Sequence, residues 1–99
     1  MEKIYRETKA KLIEINDLLG KFESTPINES DSSIKEQISY KCNEISSACA
    51  QLDIYVTKEP PVRKYDAKIK VDQLKYDFQH YKAAFSSIQN KKYYLFLKL

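Results

Sequence analysis

Seven apolar positions, Ala67, Val71, Leu74, Phe78, Tyr81, Phe85 and Ile88, recur at steps of 4-3-4-3-4-3 without a fault. Only an α-helix brings residues spaced alternately three and four apart onto one face. The run predicts a helix of about 30 residues, or ~45 Å at 1.5 Å of rise each, with one apolar stripe. Such a helix is marginal alone in water, because most helical stability comes from packing that stripe against a neighbour. Its start is sharp as well. Pro60 and Pro61 end whatever helix precedes them, since proline lacks the amide donor and its ring clashes with the preceding turn. The new helix begins between Pro61 and Asp66.

Two further stripes precede it. In residues 2–23, Tyr5, Leu12 and Leu19 are seven apart, and Thr8, Ile15 and Phe22 form the interleaved set. Ile13 and Leu18 widen this stripe, which suits a helix that touches two neighbours. Ser24-Thr-Pro26 closes the helix. Residues 27–32 read as a polar loop. Ser33-Ile-Lys-Glu36 then has the spacing of a capping box, in which the Ser hydroxyl and the Glu side chain satisfy each other's backbone amides. Ser30 or Asp31 would serve as earlier caps. Ile34, Ile38, Cys42, Ile45, Cys49, Leu52 and Val56 step by three or four to about Thr57.

None of the three helices can hide its stripe alone, and the connections are shorter than ten residues. The expected fold is therefore all-α, an antiparallel up-down-up three-helix bundle. With 99 residues and a single glycine, one domain and one modest core are the limit. The domain is expected to span residues 1–92. Residues 93–99, Tyr-Tyr-Leu-Phe-Leu-Lys-Leu, lose the helical period and form an apolar tail of open role. The tail either extends the third helix and tucks Leu95 and Leu99 under the first, or frays, or is held at a membrane surface by Lys91, Lys92 and Lys98.

Nothing in the sequence assembles a catalytic site. His80 is the only histidine, Gly20 the only glycine, and no nucleophile has a placed base beside it. The expectation is a non-enzyme with no cofactor, no metal and no small-molecule substrate. Cys42 and Cys49 read as small apolar core or boundary residues. Seven residues of helix separate them by about 10 Å, too far for a disulfide between them. Acidic residues pair with lysines at helical spacing, as Asp66 does with Lys70. No stretch reaches the roughly 18 apolar residues of a membrane span, and the charged start lacks a signal-peptide core. The chain therefore reads as soluble and cytosolic.

Charge is unevenly spread. Residues 1–28 are neutral, residues 29–59 carry −3 and residues 60–99 carry +6. The last third suits an acidic helix, an anionic membrane or a nucleic acid. Lys64, Lys68, Lys70, Lys75 and Lys82 interleave with Tyr65, Tyr76 and Tyr81, the mixture a nucleic-acid surface uses. One arginine in that third argues against specific base contacts.

With Val71 and Leu74 as heptad positions a and d, Ile69 and Tyr76 both fall at f, opposite the core. Tyr65 lies four residues before Ile69, and Ala83 seven after Tyr76. These residues form a second apolar stripe flanked by Asp72, Gln73 and His80. A bundle helix needs one broad buried face, not two opposed ones, and tyrosine is enriched at binding hot spots. Tyr65, Ile69, Tyr76 and Asp72 are therefore the candidate partner-binding residues.

The Lys58-Glu-Pro-Pro61 turn and the Val71-Asp-Gln-Leu-Lys-Tyr-Asp77 block resemble the N-terminal region of membrins, Golgi Qb-SNAREs of early secretory traffic. Tyr5-Arg-Glu-Thr-Lys9 and Gly20-Lys-Phe-Glu23 add to the resemblance, which covers most of residues 1–90. It implies a Habc-like three-helix domain on the cytosolic face of Golgi and ER–Golgi membranes. It also implies partners among SNARE proteins or trafficking adaptors, met through helix–helix contacts. In that family a SNARE motif and a membrane anchor follow the domain. This sequence stops at Leu99, so the family's fusion residues have no positions here, and regulation or protein binding is the expected role. A generic helical scaffold is the alternative, and a basic nucleic-acid-binding helical module a further one.

Overall fold

The computed structural model describes residues 1–25 and 29–98. Three helices, α1 (Glu2–Ser24), α2 (Glu29–Lys58) and α3 (Pro61–Leu97), pack against one another in an all-α bundle. The rod measures 58 × 18 × 16 Å. At 1.5 Å per residue the 37 residues of α3 span about 56 Å, essentially its whole length.

The ends of the helices follow from local chemistry. Thr25 is extended, with φ −78° and ψ 134°, the conformation that a following proline imposes. Its amide donates back to the Lys21 carbonyl at 2.9 Å, closing the last turn of α1. Only Glu59 and Pro60 separate α2 from α3. Pro61 takes the first helical position, where its missing N–H costs nothing. The Pro60 carbonyl accepts from the Arg63 and Lys64 amides at 2.9 Å. At the start of α2 the helix begins four residues before the expected capping box, so Ser33 and Glu36 lie inside it. The alternative caps at Ser30 and Asp31 involve side chains outside the described residues, as do Ile27 and Asn28 of the expected loop.

Cross-helix contacts set the directions. Lys11 reaches Glu44 at 3.0 Å, and Lys41 reaches Glu14, so α1 and α2 run antiparallel. Lys75 on α3 pairs with Asp53 on α2 at 3.0 Å. Between α1 and α3 the partners advance together, from Glu2 with Lys70 at 3.6 Å to the Phe22 and Phe85 rings at 5.6 Å. Those two helices are parallel, and the topology is up-down-up. Ion pairs this exposed contribute about 0–1 kcal/mol each. Their role is register, because a slip would juxtapose like charges.

The core is the three stripes. Leu12, Ile15, Leu19 and Phe22 of α1 meet Ile38, Ile45, Cys49, Leu52 and Val56 of α2. Ala67, Val71, Leu74 and Phe78 of α3 complete it. Thr8 is buried among them and donates its hydroxyl to the Ile4 carbonyl at 2.7 Å, so the polar group is satisfied. Leu18 packs half-buried on the cluster, whereas Ile13, expected to widen the same stripe, is 63% exposed. It stands about 100° around the helix from Leu12, on the side away from both neighbours. Lys70, expected beside Asp66, turns instead to Glu2 on α1.

The α3 stripe does not stop at Ile88. Four residues on, in the same register, stands Lys92, only 9% exposed. Its ammonium donates to the Thr25 carbonyl at 2.6 Å and lies 4.7 Å from the centre of the Phe22 ring. A cation at the C-terminal end of α1 meets the negative end of that helix's dipole. α3 then continues as helix to Leu97, past the end of α1. Leu95 is not tucked under α1 but is more than half exposed. Leu99 is outside the described residues.

Truncation of Leu74 or Phe78 to alanine is expected to cost about 2–5 kcal/mol, combining lost transfer energy with a cavity. Chemical unfolding midpoints measure this, and a midpoint that hardly moves would misassign the stripe. Lys92→Ala is expected to cost about 1.5–3 kcal/mol, the range for hydrogen bonds to charged groups. Amide hydrogen exchange should then quicken in the last three turns of α3 and at Thr25, while residues 67–78 keep their protection.

Candidate functional site

The outer face of α3 is the part of the bundle that packing leaves unexplained. Tyr65 is 72% exposed, Ile69 50% and Tyr76 61%. Along a helix of 100° per residue, positions 65, 69, 72 and 76 lie within a strip about 60° wide, so the three apolar side chains and Asp72 share one line. Val62, the most exposed large apolar side chain described, stands at the edge of that strip. Its place at the start of α3, directly after the prolines, was the signal by which sequence alone would have added it. With apolar groups on opposite sides, α3 shows almost no net amphipathicity, whereas α1 is clearly one-sided.

The stripe has structured edges. Asp72 accepts from the Lys68 ammonium at 3.0 Å, one turn back on the same helix. Both residues line an open groove of about 280 Å³ between α2 and α3, with Val56 and Val71 among its apolar lining and Asp53 and Lys75 alongside. Asp53 accepts a hydrogen bond from Lys75 and raises that ammonium's pKa above its ordinary value. The His80 ring meets the Tyr76 ring edge-on, with centroids 4.5 Å apart, and steadies it. Gln73 donates to Asp77 at 3.1 Å along the opposite edge. The strip is thus an apolar line between two rows of polar groups that already hold one another, the arrangement of an interface core with a polar rim.

Of the five lysines that interleave with tyrosines on α3, all but Lys64 are already engaged. Lys68, Lys70 and Lys75 each face a carboxylate, respectively Asp72, Glu2 and Asp53. Lys82 lies over the Phe78 ring at 5.1 Å. Among the described residues no group of three His, Cys, Asp or Glu side chains is placed to hold a metal ion. No described helix is long and apolar enough to cross a membrane.

A family model for the BOS1/GOSR2/MEM11 N-terminal domain matches residues 1–95. The chain belongs to this family. It is 34% identical over 92 residues to Golgi SNAP receptor complex member 2 of Mus musculus, covering 93% of this chain and 43% of the relative. The homolog memb-1 of Caenorhabditis elegans is also 34% identical over 92 residues, covering 92% and 43%. A probable Golgi SNAP receptor complex member 2 of Drosophila melanogaster is 26% identical over 92 residues, covering 93% and 42%. The chain thus spans less than half the length of these relatives. No solved structure gives a significant match. The membrin resemblance carried by residues 58–80 lands on the α2–α3 turn and the first half of α3. That segment holds the tightest part of the α3 core and Tyr65, Ile69 and Tyr76 of the exposed stripe.

The two thiols of this membrin-type domain belong to its core. Cys49 is buried, Cys42 half-buried, and both are free. Burial pushes both thiol pKa values up, while Lys82 beside Cys42 and Lys75 beside Cys49 pull in the opposite direction. A raised folded-state pKa favours the protonated thiol. Its contribution to stability is complete below the unfolded value of about 8.5 and is lost as pH rises through the folded value. Alkylation of Cys49 at pH 8 is therefore expected to run at least about tenfold slower than that of a free thiol. The unfolding midpoint should fall as pH climbs above about 8.5. Equal alkylation rates in the native and unfolded protein would contradict the burial.

Proposed function

We propose that this domain is a protein-docking module of a membrin-type SNARE in vesicle transport between endoplasmic reticulum and Golgi. It acts on the cytosolic face of those membranes, through helix–helix contact and without catalysis. Its partners are SNARE proteins or trafficking adaptors. Kinship with the Golgi SNAP receptor complex member 2 proteins supports the setting. One observation carries the mechanism: Tyr65, Ile69 and Tyr76 are exposed in a line on a helix whose opposite face is already buried. A partner helix laid along that line would cover two tyrosine rings, whose hydroxyls stay at the wet edge, and one isoleucine between them. Asp72 and Lys68 would form part of the rim, exchanging their mutual pair for partner groups. The lysines already engaged with carboxylates favour this over the nucleic-acid reading.

The double variant Ile69→Ala with Tyr76→Ala is the test. Both side chains are exposed, so stability should change by no more than about 0.5 kcal/mol for each. Capture of Golgi SNAREs or adaptors, identified by mass spectrometry, should fall about tenfold or more, as it does when hot-spot residues are truncated. Severe destabilisation would move the residues into the core. Unchanged capture would return them to ordinary surface.

A further inference from the structure

The end of α3 carries a second surface that the docking stripe does not use. Tyr93, Tyr94, Leu95 and Leu97 are each 52–66% exposed, although all lie within regular helix. At 100° per residue they spread over about 200° of the helix, with Leu95 set apart from the arc of Tyr93, Tyr94 and Leu97. A protein groove covers one face of a docked helix and would leave some of these side chains in water. An apolar arc this broad exceeds the single stripe that one neighbouring helix covers. The composition narrows what can cover it. From Phe78 to Leu99 the sequence has four lysines and no aspartate or glutamate. Lys91 and Lys98 are exposed and bracket the apolar turn. Tyrosines at a polar–apolar boundary and lysines with long apolar stems are the side chains that settle at a bilayer interface.

We propose that the last turn and a half of α3 inserts into the interface of an anionic lipid surface, with residues 93–97 at the level of the headgroup–acyl boundary. Five residues of helix are about 7–8 Å long, which matches the ~5–10 Å depth of interfacial burial. The tip is presented as helix because Lys92, one residue earlier, is fastened to the Thr25 carbonyl and the Phe22 ring. Lys91 and Lys98 then meet lipid phosphates and acidic headgroups. Glu23 on the last turn of α1 opposes part of this charge, so attachment rests on the apolar side chains first and the lysines second. This surface is independent of the Tyr65–Tyr76 stripe, which lies more than two turns away along the same helix.

The experiment is flotation of the full chain with vesicles of phosphatidylcholine containing about 30 mol % phosphatidylserine, beside vesicles of phosphatidylcholine alone. The chain should float with the anionic vesicles and much less with the neutral ones. Leu95→Lys with Leu97→Lys should lower the bound fraction about tenfold at unchanged helix content and melting temperature, since both side chains are exposed. A Tyr94→Trp variant should show a blue shift of its fluorescence on binding. The proposal is overturned if the chain does not float, or if the double-lysine variant floats equally well. It also fails if the tryptophan stays in water while the chain is bound. Sedimentation showing wild-type dimers that the double-lysine variant abolishes, without flotation, would assign the tip to contact between copies and overturn the lipid reading.

Discussion

The bundle depends on a shared deficit: each helix has one stripe wide enough to demand burial and too narrow to close a core with a single partner. Ile15, Phe22, Ile38, Ile45, Leu52 and Val71 are all buried to about 1% or less exposure, and they come from all three helices. Removing any one helix would return the other two stripes to water. The polar contacts are secondary in energy. They sit at the surface, between lysines and carboxylates on neighbouring helices, and they select the register in which the stripes meet.

The lengths of the helices turn this common core into two different ends. At one end the two-residue Glu59–Pro60 connection holds α2 and α3 tightly together. At the other, α1 finishes at Ser24 while α3 continues to Leu97. The stripe of α3 reaches this end with Lys92, a residue that cannot be buried without partners. The free carbonyl at the end of α1 and the face of Phe22 supply them. A long amphipathic side chain is well suited to the place, its stem packing against apolar neighbours while its ammonium caps the helix terminus. Beyond that point α3 has no α1 beside it, and its apolar side chains meet solvent.

α3 therefore does three things with one sequence. Its inner face completes the core, its outer line offers tyrosines and an isoleucine, and its tip offers tyrosines and leucines flanked by lysines. The family relationship accounts for the first and gives a setting for the second. The tip lies at the edge of the family match, which ends at residue 95.

Much of this was legible in the residues themselves. The 4-3 spacing identified which side of each helix is buried, down to Thr8, Cys49 and Ala67, because a helix of fixed pitch leaves no choice about which residues share a face. Pro60 and Pro61 located the reversal, because proline chemistry is local. The outer stripe followed from the same arithmetic applied to the opposite side. Its exposure is structural, and its use by a partner is a proposal. What spacing could not supply is what stands beside each face. Ile13 and Leu18 each adjoin a core leucine in sequence, yet Ile13 lies far around the helix in water and Leu18 lies on the flank that a neighbour covers. Lys70 had a carboxylate four residues earlier and turned to another helix instead. Lys92 continued the core register in plain view, but its burial required the end of α1 to be within reach. Leu95 follows in the same register and is exposed because α1 has already ended. Period is a property of one helix and is written in its sequence; burial, pairing and exposure at the ends depend on where three helices stop relative to one another, and only the tertiary structure decides that.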